Sequence, residues 1–208
     1  METAIILKAP GADLEARFRA ISKTKAVVVT HPHPLYGGDM DNSVVLAIAD
    51  AFEQAGYSVL RFNFRGTGRS QGSYDDGFGE QQDVTAAIGY LKHSGFQNID
   101  LAGYSFGAWI LARWAMHNAG HAHRIFLIAP PVAFMDFDKH SPIPGLAHIF
   151  TGSLDDLAPP DPIRFALRQW QPDAPCHVIQ GADHSLWGHF QTLQQGIVQA
   201  LQGGRQRD

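Results

Sequence analysis

The run "AVVVT" at positions 26–30 is apolar at every position but its last. A strand with one wet face alternates apolar and polar residues, whereas a continuous apolar run marks a strand covered on both faces, as in a parallel sheet between two helical layers. The remainder of the chain keeps to that architecture. From Ser43 to Gly56, the residues Val44, Val45, Ile48 and Phe52 fall on one helical face, with Gly56 as the stop. "YSVLRFNF" reads as the next strand, and Val84, Ile88 and Leu91 then repeat at the i, i+4, i+7 spacing of a second helix. "NIDLAGYS" is followed by the helical "FGAWILARWAMHNAG", and "RIFLIAPP" and "LAHIFTG" are further strands. A helix from Pro159 to Trp170, the strand "PCHVIQG" and the helical "WGHFQTLQQGIVQAL" close the alternation. Ahead of it, "TAIILKAP" and "LEARFRAI" read as a hairpin at one sheet edge. The whole predicts an α/β chain with a doubly wound, mostly parallel, eight-stranded sheet and helices on both faces. Ligands of such sheets gather outside the carboxyl ends of the strands.

At 208 residues the chain is expected to form one domain, 1–208, because a division would leave two poorly buried halves. Its 45% hydrophobic and 17% charged residues are those of a soluble globular protein rather than a disordered one. A net charge of -4, with Lys and Arg scattered, offers no basic field to a phosphate backbone, so no nucleic acid partner is expected. No segment approaches the roughly 20 apolar residues that cross a bilayer, and "METAIILKAPG" lacks the basic start and apolar core of a signal peptide. The lone Cys176 suits a reducing compartment, and the cytoplasm is the expected location.

Chemistry concentrates after the strands. Gly103-Tyr104-Ser105-Phe106-Gly107 matches G-x-S-x-G between a strand and a helix. A turn that sharp strains the serine backbone and brings neighbouring chain close, so glycine is required two residues to either side. It also holds the hydroxyl out at the sheet's edge, with the Phe106 N–H at the helix start facing a developing oxyanion. A serine needs an imidazole to take its proton and a carboxylate to hold that imidazole's tautomer. "FTGSLDDLAPP" places Asp155 three residues after Gly152, and "VIQGADHSLWGHF" places His184 three residues after Gly181. Asp156 is the alternative to Asp155, spacing from the strand end favouring Asp155. Asp183 is expected to face elsewhere, and His177 and His189 to be solvated.

With these residues in place, the chain resembles the α/β-hydrolase superfamily, and more narrowly its small, nearly lidless bacterial serine hydrolases. The resemblance is carried by "HPHPLYGG", "RFNFRGTGRSQGS", "GYSFG", "GSLDDLAPP" and "GADH", and runs from the third strand to the last helix. It implies Ser105 as nucleophile, His184 as general base and then acid, and Asp155 as its orienting partner. It also implies a second oxyanion N–H from "HPHPLYGG". Pro32 and Pro34 have none, which leaves Leu35 as first choice and Tyr36 as second.

His31 and His33 are expected to stabilise that loop through hydrogen bonds. His-Pro-His is no metal site, since two histidines two apart lack a third ligand, and His117, His121 and His123 read as solvated residues around a helix end. In "RGTGRSQG" the position that a dinucleotide fingerprint reserves for its third glycine is Gln71, so this loop reads as architectural, tied down by Arg65, Arg69 and Ser70. No cofactor is implied.

The expected activity is hydrolysis of small carboxylic esters through an acyl-enzyme. The same triad serves an amidase, thioesterase or peptidase, and a non-catalytic binding protein retaining the fold is the rival from another class. From Val132 to Gly145 there is room for a loop or one helical turn, so no helical cap is expected. Tyr36, Tyr104, Phe134, Met135, Leu157 and Trp187 are the expected walls of an open apolar pocket for a small ester-like substrate.

Overall fold

The computed structural model describes residues 2–137 and 141–203. Its strands are β1 (Glu2–Ala9), β2 (Ala12–Arg19), β3 (Lys25–Thr30), β4 (Ser58–Phe62), β5 (Asn98–Tyr104), β6 (Ile125–Ile128), β7 (Leu146–Gly152) and β8 (Cys176–Ile179). They form one sheet in the order β1-β2-β4-β3-β5-β6-β7-β8. β1 and β2 are the edge hairpin and β2 joins β4 antiparallel, while every pairing from β4 onward is parallel. The eight-stranded, mostly parallel sheet is as the sequence predicts.

The helices are α1 (Ser43–Gln54), α2 (Phe78–His93), α3 (Phe106–His117), α4 (Pro160–Trp170) and α5 (Phe190–Gly203). α1 packs with α5, and α2 with α3, as two layers about the sheet. This explains the unbroken apolar run in β3, where Ala26, Val27, Val28 and Val29 are all fully buried. On α1 the residues that share a face, Val44, Val45, Ile48 and Phe52, are buried, the Asn42 side chain accepts the Val44 N–H at the N-cap, and Gly56 stops the chain at φ 79°. Burying one such aliphatic or aromatic side chain contributes roughly 1.5–3 kcal/mol.

Two predicted features differ. The last helix begins at Phe190, three residues after Trp187, because Leu186 (φ 55°) and Gly188 (φ 79°) take left-handed conformations that no helix continues through. His177, in β8, is half-buried rather than solvated, with its ring stacked 4.4 Å from that of Phe150 and its Nε2 3.1 Å from His148 Nδ1. The glycine-rich loop after β4 is held as expected of an architectural element. Arg65 pairs with buried Asp83, the Arg69 N–H donates to Glu15, and the Ser70 hydroxyl donates to the Asn63 carbonyl while accepting the Glu15 N–H.

Between β6 and β7 the Phe134 and Met135 N–H groups both donate to the Pro131 carbonyl in one turn, and the Leu146 N–H donates to the Ile143 carbonyl in a second. No helix occurs there among the described residues, and 138–140, part of the Val132–Gly145 connection, lie outside them. The carboxyl ends of β3, β5, β6, β7 and β8 therefore open onto one edge of the sheet without a large cap.

Candidate active site

Ser105 sits between the last residue of β5 and the first of α3, with φ 54° and ψ -116°. A non-glycine residue there costs on the order of 1–3 kcal/mol, so its surroundings must enforce it. Its N–H donates to the Ile128 carbonyl at 2.9 Å, and its carbonyl accepts the Trp109 N–H at 3.1 Å as the first turn of α3 closes. The flanking glycines are there for space. A Cβ on Gly103 would lie 2.6 Å from the Gly107 carbonyl carbon, and one on Gly107 would lie 2.5 Å from Thr30 Oγ1 and 2.7 Å from the Thr30 carbonyl oxygen. The helix thus starts in direct contact with the end of β3.

The Ser105 hydroxyl meets His184 Nε2 at 2.9 Å, and His184 Nδ1 lies 2.9 Å from each carboxylate oxygen of Asp155. A carboxylate only accepts, so the proton is on Nδ1 and Nε2 is left to accept from the serine. Asp155 is 2% exposed, and its Oδ1 also accepts the N–H groups of Leu157 (3.0 Å) and Ala158 (2.7 Å), which fix the carboxylate's angle. Contact between two strand ends brings the pair together. The Leu154 N–H donates to the Ala182 carbonyl at 2.9 Å, and Gly152 is pressed so close that a Cβ on it would fall 2.2 Å from that oxygen. Asp156 is exposed beside Asp155, while Asp183 turns back to accept the N–H and hydroxyl of Ser185. Asp155 alone of the three carboxylates meets the imidazole.

The loop after β3 departs from expectation. The Leu35 N–H donates to His33 Nδ1 (3.2 Å) and the Tyr36 N–H to the His33 carbonyl (3.1 Å), so both are bonded inside a 3₁₀ turn over Pro34–Tyr36 and neither is available as an oxyanion donor. His33 is the residue whose N–H remains. It lies between two prolines that have none, and among the described residues it donates to no protein acceptor. The His33 ring packs against those of Tyr36, Tyr74 and Phe106, and burial lowers its pKa against the raising effect of Asp76. His31 is buried completely. Its Nε2 accepts the Phe64 N–H at 3.0 Å and its Nδ1 donates to the Pro32 carbonyl at 2.7 Å, tying this loop to the one after β4. Burial lowers its pKa to about 4.

Ser105 and His184 open onto a cleft of roughly 420 Å3. Of the expected walls, Tyr36, Tyr104, Phe134, Met135 and Leu157 line it. Trp187 does not. It is 76% exposed and meets Phe190 edge-on, because the turn that buries Leu186 sends its neighbour outward. Pro32, His33, Gly37, Gly38, Asn42 and Pro131 complete the lining alongside Phe106, and no lysine or arginine is among them. Sequence reasoning left out Asn42, whose visible role is as an N-cap; only the folded loop reveals its second position.

Comparison with known proteins accords with this geometry. Residues 33–200 match the family model described as alpha/beta hydrolase fold. An uncharacterized protein of Rickettsia prowazekii (strain Madrid E) is 35% identical over 192 residues, covering 86% of this chain and 80% of its own. An alpha-beta serine hydrolase homologue from Coxiella burnetii superposes with a TM-score of 0.85 at 32% identity, over 95% of this chain and 96% of that one. A serine hydrolase of the same architecture from Xanthomonas campestris, described as without lid, gives a TM-score of 0.88 at 27% identity, over 98% and 94% of the two chains.

Proposed function

The chain belongs to the family with the alpha/beta hydrolase fold, and from that membership we propose that it is a serine hydrolase of small carboxylic esters, working through an acyl-enzyme formed on Ser105. The observation that carries this reading is the unbroken chain of 2.9 Å contacts from the Ser105 hydroxyl through His184 to Asp155. Ser105 Oγ attacks the ester carbonyl as its proton passes to His184 Nε2, and the imidazolium that forms is stabilised by the Asp155 carboxylate. The tetrahedral oxyanion is received by the N–H of Phe106, which as the first residue of α3 has no intrahelical acceptor, and by the N–H of His33. His184 then returns its proton to the departing alcohol. A water molecule repeats the sequence on the acyl-enzyme, with His184 as base, and releases the acid.

Cleft size and lining support a small, uncharged substrate. An apolar cavity of about 150 Å3 holds a benzene ring, so roughly 420 Å3 accommodates both halves of a short ester. The lining has no lysine or arginine to pair with a carboxylate or phosphate on the substrate. The single continuous sheet supports reading 1–208 as one domain. No helix of the described residues is long and apolar enough to cross a membrane, and with the lone Cys176 this is compatible with a cytoplasmic enzyme.

Panels of p-nitrophenyl esters, thioesters and anilides, run beside a Ser105→Ala control, test the proposal. Acetyl and butyryl esters are expected to turn over faster than palmitoyl esters, and the control to be inactive. Equal rates on long chains would remove the small-substrate assignment, and turnover of thioesters or anilides alone would change the bond. Retained hydrolysis in Ser105→Ala would remove Ser105 as nucleophile.

A further inference from the structure

Tyr104 immediately precedes Ser105, and five-residue nucleophile patterns leave this position open to any side chain. Here the side chain reaches to the opposite wall of the site. Its hydroxyl donates to the main-chain carbonyl of His184 at 2.9 Å, and its ring lies 5.7 Å from the imidazole at an interplanar angle of 30°. The rest of the loop after β8 is fastened by other means: the Gly181 N–H to Ser153 Oγ, the Ala182 carbonyl to the Leu154 N–H, and the Asp183 carboxylate to Ser185. None of these touches the peptide of His184 itself. Among the described residues, the Tyr104 hydroxyl is the group hydrogen-bonded to the His184 main chain.

Resting on the reading of Ser105 and His184 as nucleophile and base, we propose that Tyr104 is a positioning residue, which sets the distance between the two by anchoring the His184 main chain to the strand that ends in Ser105. Asp155 fixes the imidazole through its side chain, and Tyr104 fixes the backbone from which that side chain hangs. The two constraints act at different atoms, so neither replaces the other. Because β5 carries the tyrosine anchor and leads directly into the nucleophile, any small displacement of that strand moves Ser105 and His184 together. Tyr104 is 5% exposed, and burial together with the carboxylates of Asp155 and Asp183 pushes its phenol well above the ordinary value, which keeps it protonated and donating.

The test is Tyr104→Phe, which keeps the ring and removes the donor, compared with wild type in two measurements. The first follows by NMR the solvent exchange of the proton between His184 Nδ1 and Asp155, identified by its loss in His184→Ala. Exchange is expected to quicken about tenfold. The second is steady-state hydrolysis of p-nitrophenyl acetate, where kcat is expected to fall about tenfold with KM unchanged within twofold, since the ring still lines the cleft. A misplacement below 1 Å suffices for an effect of that size. A thermal midpoint close to wild type checks that the fold is retained. Exchange and kcat both within twofold of wild type would overturn the proposal. Faster exchange in a chain whose wild type hydrolyses no ester would remove the hydrolase reading and leave the anchoring of His184 standing.

Discussion

His31 and His184 lie in the loops after β3 and β8, at one edge of the sheet, and are wired alike. Each imidazole donates through Nδ1 to an oxygen and accepts through Nε2, from the Phe64 N–H in His31 and from the Ser105 hydroxyl in His184. The difference lies in what faces Nε2. A backbone amide does not release its proton near neutral pH, so His31 is a fixed strut between two loops. On the proposed reading a hydroxyl that attacks a carbonyl does release it, so the same ring serves as a base. Their surroundings agree with this division. His31 is wholly buried, while the side chain of His184 is 22% exposed at the cleft, with room for the imidazolium to form. Hydrogen-bond geometry around a histidine is therefore no index of catalysis until the chemistry of its partner is considered.

The contrast is sharpened first by removing the partner that yields its proton. Ser105→Ala is expected to lower kcat for short esters by about 10^6-fold, the scale at which a triad nucleophile acts, with the fold unchanged in circular dichroism. Asp155→Asn comes next, at about 10^4-fold in kcat, because an amide in that place presents the wrong group to Nδ1 or to the Leu157 and Ala158 N–H groups. His31→Phe should reverse the pattern. It leaves the Phe64 N–H buried without an acceptor, for a loss of about 1–3 kcal/mol in urea unfolding, yet retains measurable ester hydrolysis.

Stability against pH reports on the strut. The folded pKa of His31, about 4, lies below its ordinary 6.5. Between these values the unfolded chain binds more protons, so stability is full above pH 6.5 and declines as pH falls toward 4, by about 3 kcal/mol for this one group. Half-buried His148, also lowered to about 4, and the lowered His33 and His177 add declines of the same sign. The urea midpoint measured across this window should fall less steeply in His31→Phe than in the wild type. Trp187→Ala is expected to change kcat/KM by less than twofold, since that side chain lies outside the cleft.

Legibility from sequence divided along the same physical line. Ser105, Asp155 and His184 stood out because each comes soon after a strand run and is flagged by a nearby glycine; Gly103, Gly107 and Gly152 each face a neighbour that a Cβ would strike. The parallel, two-sided sheet was legible in the continuous apolar run of β3 and the helical periods around it. What stayed hidden depended on which backbone groups are already bonded. Excluding the prolines left several N–H groups in "HPHPLYGG", and only the folded 3₁₀ turn shows that Leu35 and Tyr36 are bonded within it while His33 is not. Trp187 and Leu186 are both apolar, and the backbone sign at Leu186 decides which of them is buried. Tyr104 read as a wall because no local pattern reveals a hydroxyl whose partner is 80 residues away.

The most direct test of the central claim, that His184 is a base for Ser105 whereas His31 is a strut, is the rate of covalent labelling by a fluorophosphonate, followed by intact mass and peptide mapping. Wild type should gain one adduct, on the peptide containing Ser105. His31→Phe should label within about tenfold of wild type and His184→Ala at least about 10^3-fold more slowly. Labelling at another residue, or His184→Ala reacting at the wild-type rate, would contradict the account.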